Sequence, residues 1–142
     1  MVDEKVIQIA KRARKWTKEI AKNDIDETNR KTLRCYCAIG SAYLHLLLKK
    51  HGYNSSIVMT QTGTLTHCFI KINNVVLDIT GSQFNKKPIY IRKTFKEYWR
   101  IERVFNTIED FFIEEKYWPK EQQFSTHLNK VEPEILQNTS LV

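Results

Sequence analysis

The chain is poor in the residues that interrupt or cross-link a fold. Its 142 residues include only 4 glycines, 3 prolines and 3 cysteines. With so little glycine and proline there is no flexible or stiff linker, so one domain is expected. The cysteines are Cys35, Cys37 and Cys68. An odd count gives no disulfide framework, and Cys-Tyr-Cys is too closely spaced for an ordinary pair of zinc ligands. No metal and no cofactor is therefore expected. No apolar run approaches the roughly 18 residues of a membrane span. The opening Met-Val-Asp-Glu-Lys lacks the apolar core of a signal peptide. The expectation is a cytoplasmic protein with no membrane span. Internal repeats and low-complexity segments are also missing.

The residues that are present describe an ordinary folded domain, 42% hydrophobic and 27% charged. The formal net charge of +7 favours acidic partners, nucleic acid among them. The basic residues are scattered, however. Their densest cluster is Lys11, Arg12, Arg14, Lys15 and Lys18. No zinc finger, ribonucleoprotein aromatic motif or Gly-x-x-Gly loop accompanies them. A lysine-rich solvated surface is the simpler account.

Apolar periodicity sets the order of elements. Val6, Ile9, Ala10, Ala13, Trp16 and Ile20 recur at helical spacing within residues 3–22. Residues 23–29 are polar and read as a connection, with Thr28 or Thr32 able to cap the next helix. Residues 36–50 form a second long helix, apolar nearly all round, that stops at Gly52. His45 and His51 are expected on its surface. Three strands follow, at 56–61, 66–72 and 75–79, with a turn at Gly63 and a two-residue turn at Asn73-Asn74. Residues 89–92 and 98–105 can be read as strand or helix. A helix should begin at Thr107 and run to Pro119. Periodicity fades after 120. The expected domain is 1–130, with a flexible tail at 131–142.

The Asn-Asn turn fixes a register. Ile72 pairs with Val75 and Ile70 with Leu77, and Phe69 lies opposite Asp78. Side chains alternate between faces. Cys68, Ile70, Ile72, Val75, Leu77 and Ile79 therefore share one apolar face, and Cys68 is expected in the core. His67, Phe69, Asp78 and Thr80 share the other face. His67 and Asp78 become diagonal neighbours, roughly 7–8 Å apart at the backbone and within side-chain reach. Cys37 opens the long helix, where backbone N–H groups and the helix dipole favour a thiolate. A histidine beside it would depress the thiol further, and an aspartate on the other ring nitrogen would fix the imidazole. Cys37, His67 and Asp78 are thus the candidate catalytic residues, with Cys35 the competing nucleophile. Each has a plainer reading alone: a buried helix cysteine, a strand histidine, a turn-forming aspartate.

The same residues resemble the transglutaminase-like cysteine hydrolases, the small bacterial and phage forms of the papain-like superfamily. The likeness spans about residues 34–84. It is carried by Cys-Ala-Ile-Gly-Ser before the apolar helix, His67 with Phe69 two residues on, and Asp-Ile-Thr-Gly-Ser-Gln-Phe from Asp78. Ala38 stands where many members carry glycine, and Phe69 where many carry tryptophan. The resemblance implies an α+β fold in which the nucleophile helix packs on an antiparallel sheet. It also implies a cysteine peptidase, amidase or transglutaminase-like acyltransferase acting on a protein or peptide. Ser41, Phe69 and Gln83 would bind substrate or orient the site. The competing expectation is a non-catalytic adaptor of the same fold, binding an acidic protein or nucleic acid through its basic surface.

Overall fold

Residues 3–62, 65–81, 87–92, 100–137 and 139 are described by a computed structural model. The class is mixed α+β. Among the described residues four α-helices, α1 (Glu4–Ala21), α2 (Glu27–Thr32), α3 (Cys37–Lys50) and α4 (Ile108–Glu115), accompany five strands. The strands are β1 (Ser55–Thr62), β2 (Leu65–Ile72), β3 (Val75–Asp78), β4 (Tyr90–Arg92) and β5 (Arg100–Phe105). They form one sheet in the order β4-β3-β2-β1-β5. Every neighbouring pair is antiparallel.

The β2–β3 hairpin has the register that its turn dictates. Ile72 pairs with Val75, Lys71 with Val76 and Ile70 with Leu77. Asn73 and Asn74 both have positive φ, 49° and 61°, as a two-residue primed turn requires. Ile57, Met59, Cys68, Ile70, Ile72 and Leu77 belong to the main core. Val58, Phe69 and Val76, alternating with them, form a smaller cluster on the other face.

Helix α3 is the centre of that core. Eleven consecutive residues, Ala38 to Leu48, are buried. His45 is among them rather than on the surface: it is fully buried, and its Nδ1 lies 2.8 Å from Ser55 Oγ. A helix covered on all sides has no solvated face on which to place a histidine. On one flank lies α1, capped by Asp3, whose side chain accepts from the Val6 N–H. Gly40 brings the two helices close. A Cβ there would stand 3.0 Å from Thr17 Oγ1 and 3.3 Å from Ile79 Cδ1.

Two other expectations change. The polar connection contains α2, capped by Asp26, whose carboxylate accepts from Asn29 N. Thr32 instead donates its hydroxyl back to the Thr28 carbonyl. Neither threonine caps α3, which carries no side-chain cap. Residues 131–137, expected to begin a flexible tail, dock on the core. Val131 and Ile135 are buried, and Glu132 accepts from Tyr43 Oη and Arg12 Nη2. Trp16 donates its indole N–H to the Lys130 carbonyl and stacks on Tyr43 at 4.2 Å. The segment needs no periodicity of its own, because isolated anchors tie short 3-10 turns to α1 and α3.

Helix α4 ends at Glu115, short of Pro119. Glu115 is buried, and its two oxygens accept from Phe124 N at 2.7 Å and Ser125 N at 3.0 Å. Burial raises its pKa, while the hydrogen bonds to Ser125 and Phe124 oppose the shift. Glu115→Ala should strand one buried and one part-buried donor and lower the stability by about 1–3 kcal/mol, measured as the urea midpoint. Glu115→Gln, which keeps one acceptor oxygen, should lose less.

Candidate active site

The site begins with a strained approach to α3. Leu33 and Cys35 both have positive φ, 61° and 74°, a conformation costing about 1–2 kcal/mol for a residue with a Cβ. Three contacts hold it. Leu33 is fully buried, and its N–H bonds the Asn29 carbonyl. Tyr36 N bonds the Leu33 carbonyl, and Tyr36 Oη donates to Asp24 Oδ2 at 2.8 Å. This tight turn delivers Cys37 as the first residue of α3.

On the sheet, His67 and Asp78 are both buried, and His67 Nε2 lies 2.7 Å from Asp78 Oδ2. The other carboxylate oxygen, Oδ1, accepts from the Thr80 N–H at 2.9 Å and from Thr80 Oγ1 at 3.4 Å. The aspartate is thereby fixed from both sides. With Nε2 occupied, Nδ1 is the ring nitrogen left for a further partner. The half-buried Cys37 packs against the main core, and Cys68 and His67 both act on its thiol.

These contacts set the electrostatics. Cys37 is held well below the ordinary thiol range, first by the Cys68 hydrogen bond and then, against burial, by the hydrogen bond and charge of His67. Burial alone would lower His67. The Asp78 carboxylate, through charge and hydrogen bond, and then Cys37, outweigh it and raise His67 to about 10. The two shifts, thiol down and imidazole up, both favour a thiolate beside an imidazolium. Cys35 differs: it is exposed, and burial of its thiol pushes its pKa up.

The remaining sequence candidates fall as follows. Ser41 is buried one turn after Cys37. Phe69 is buried with its ring 6.0 Å from that of His67. Gln83 and Phe84 lie outside the described residues, as do Gly63 and Trp99. Asn29 gives its Nδ2 to Asp24 Oδ2. It lines a cleft of about 550 Å³ with Asp24, Ile25, Cys35, Tyr36 and His127. Among the described residues no cluster of three His, Cys, Asp or Glu side chains could hold a metal ion. No described helix is long and apolar enough to cross a membrane.

Two contributors escape sequence reasoning. Cys68 is buried in the core, yet it is the first of the influences that lower the Cys37 thiol. Its adjacency to His67 was the available signal. Arg14, one of a run of α1 cations, donates through Nη1 to the Ile79 carbonyl at 2.6 Å and to the Pro88 carbonyl at 3.3 Å. Burial pulls its pKa down while the Asp78 charge pulls it up. Sequence alone does not separate it from its solvated neighbours.

No protein-family model, curated protein or solved structure matches this chain.

The electrostatics predict how alkylation should depend on pH. In a Cys35→Ser background, the iodoacetamide rate at Cys37 should already be near its plateau at neutral pH. Asp78→Asn removes the charge that raises His67, which disfavours the imidazolium and so the thiolate. The half-maximal pH should then rise by about one unit or more, equivalent to about 1.4 kcal/mol. An unchanged profile would mean that Asp78 does not act through His67.

Proposed function

We propose that the protein is a cysteine-dependent acyl-transfer enzyme, a peptidase, amidase or transglutaminase-like transferase, built on a papain/transglutaminase-like core. The observation that carries the reading is one chain of contacts. A thiol at the first residue of a buried helix is lowered by the charge of an imidazole whose Nε2 is held at 2.7 Å by a fixed carboxylate. That is the arrangement an activated sulfur nucleophile requires.

The chemistry follows from the charges. Cys37 Sγ attacks the carbonyl carbon of an amide, ester or thioester. The carbonyl oxygen takes on negative charge, and the leaving amine, alcohol or thiol takes a proton from His67. Asp78 keeps the ring oriented and stabilises its cationic form. Water, or an amine, then gives its proton to His67 and attacks the acyl-enzyme, restoring the thiolate. The developing oxyanion needs donors. The first N–H groups of a helix have no intrahelical acceptor, and no side chain caps α3. The N–H of Cys37 is thus well suited to the role.

The test is turnover of a peptide and thioester library by wild-type protein and by Cys37→Ala. Activity should fall by about 10³-fold or more in the variant while its circular dichroism is unchanged. The acylated wild-type protein should carry its acyl group on Cys37. Equal turnover by the two proteins would reject the reading. Salt-sensitive binding to an acidic partner that survives Cys37→Ala, without turnover, would favour the adaptor instead.

A further inference from the structure

His45 takes no part in the acyl transfer described above. It lies eight residues along α3 from Cys37, about 12 Å down the helix axis. The residue is 0% exposed. Its Nδ1 lies 2.8 Å from Ser55 Oγ, and its Nε2 is buried without a hydrogen-bond partner. A buried ring nitrogen left unpaired is costly, so it points to a ligand or a water. His45 also lines a cavity of about 280 Å³, near the lower end of small-molecule pockets at roughly 300–1,000 Å³. With Nδ1 engaged by Ser55, Nε2 is the ring nitrogen available to that space.

The cavity lies between α3, the start of α4 and the docked C-terminal segment. Lys49, one turn on from His45, and Lys50 line it, as do Thr107, Glu109 and Gln137. Lys50 Nζ donates to Gln137 Oε1 at 3.2 Å and ties two of the walls together. Thr107 caps α4: its Oγ1 accepts from Asp110 N, which leaves the hydroxyl proton to donate. The first N–H groups of α4 have no intrahelical acceptor, and the helix dipole makes that end positive. Burial, and then the Lys49 charge, lower the His45 pKa to about 4, so its ring is neutral and carries one N–H. When the Ser55 hydroxyl donates to Nδ1, that N–H sits on Nε2 and is a donor too. Against two lysines the lining sets one carboxylate, Glu109.

We propose that this cavity binds a small phosphomonoester, its phosphate held by Lys49, Lys50, Thr107 and the start of α4, with His45 Nε2 donating to the ligand. Two lysine point charges beside a helix N-terminus suit a dianion with several acceptor oxygens better than a single carboxylate. The site stands apart from Cys37, and the proposal does not depend on acyl transfer.

The experiment titrates the full isotope-labelled chain with methyl phosphate and with inorganic phosphate at constant ionic strength. Nuclear magnetic resonance reads the His45 ring nitrogens and the amides of Ile108 and Glu109. Both probes should give saturable shifts at all three residues, with Nε2 the protonated nitrogen of His45. Replacing both lysines, Lys49→Gln with Lys50→Gln, should weaken binding roughly tenfold or more, as loss of charged hydrogen bonds does. Glu109→Gln should tighten it, because a carboxylate facing the anion is removed. The lysines are exposed and Glu109 is half-buried, so these variants should fold, and unchanged amide spectra elsewhere check that they do. Shifts that fail to saturate into the tens of millimolar would leave a water as the partner of Nε2 and overturn the proposal. So would equal shifts with sodium chloride, a response to inorganic phosphate without one to methyl phosphate, or unchanged affinity in the double lysine variant.

Discussion

A thiolate and an imidazolium withdrawn from water can persist only if each neutralises the other and both are hydrogen-bonded. Everything around Cys37 and His67 serves that condition. Asp78 is bonded to His67 at 2.7 Å and is itself anchored by Thr80. Two anions around one cation would leave the cluster negative. Arg14, half-buried on α1 and drawn to the Asp78 charge, supplies the fourth charge. It also ties the end of β3 to the approach to β4 through the carbonyls of Ile79 and Pro88. The charge balance of the site therefore depends on how closely α1 lies against α3 and the sheet.

That packing explains features with no evident chemistry of their own. Gly40 lets Thr17 of α1 and Ile79 of the sheet approach α3 where a methyl group would crowd both. The docked segment around Glu132 holds α1 to α3 from the far side, through Arg12 and Tyr43. The left-handed Leu33 and Cys35 are the cost of turning the chain sharply enough to present Cys37 at the helix start. Strain of this kind persists only where surrounding contacts over-determine it, and the buried Leu33 and the Tyr36–Asp24 bond do so here.

Much of this was legible in the sequence. The hairpin register follows from two asparagines and a period of two, and that alone brings His67 and Asp78 to one face. The long helices followed from apolar spacing. What was not legible depends on contacts between distant segments. The approach to α3 contains no glycine or asparagine at its left-handed positions, so its turn left no signal. His45 looked like a surface residue because propensity does not reveal that a helix is enclosed. The anchoring of residues 131–137 rests on Glu132, Val131 and Ile135, three isolated residues without a pattern. Cys68 was assigned correctly to the apolar face. Its influence on Cys37 depends on where α3 begins against β2, which no local rule gives.

The proposed reaction requires Cys37 to be a thiolate at neutral pH beside a His67 imidazolium held by Asp78. The direct measurement is the ultraviolet absorbance of the thiolate as a function of pH, taken as a difference between wild type and Cys37→Ala. The account predicts a thiolate signal at neutral pH that disappears in Cys37→Ala and is strongly reduced in His67→Ala. If the difference between wild type and Cys37→Ala emerged only near the ordinary thiol pKa of about 8.5, the ion pair, and the reading built on it, would be wrong.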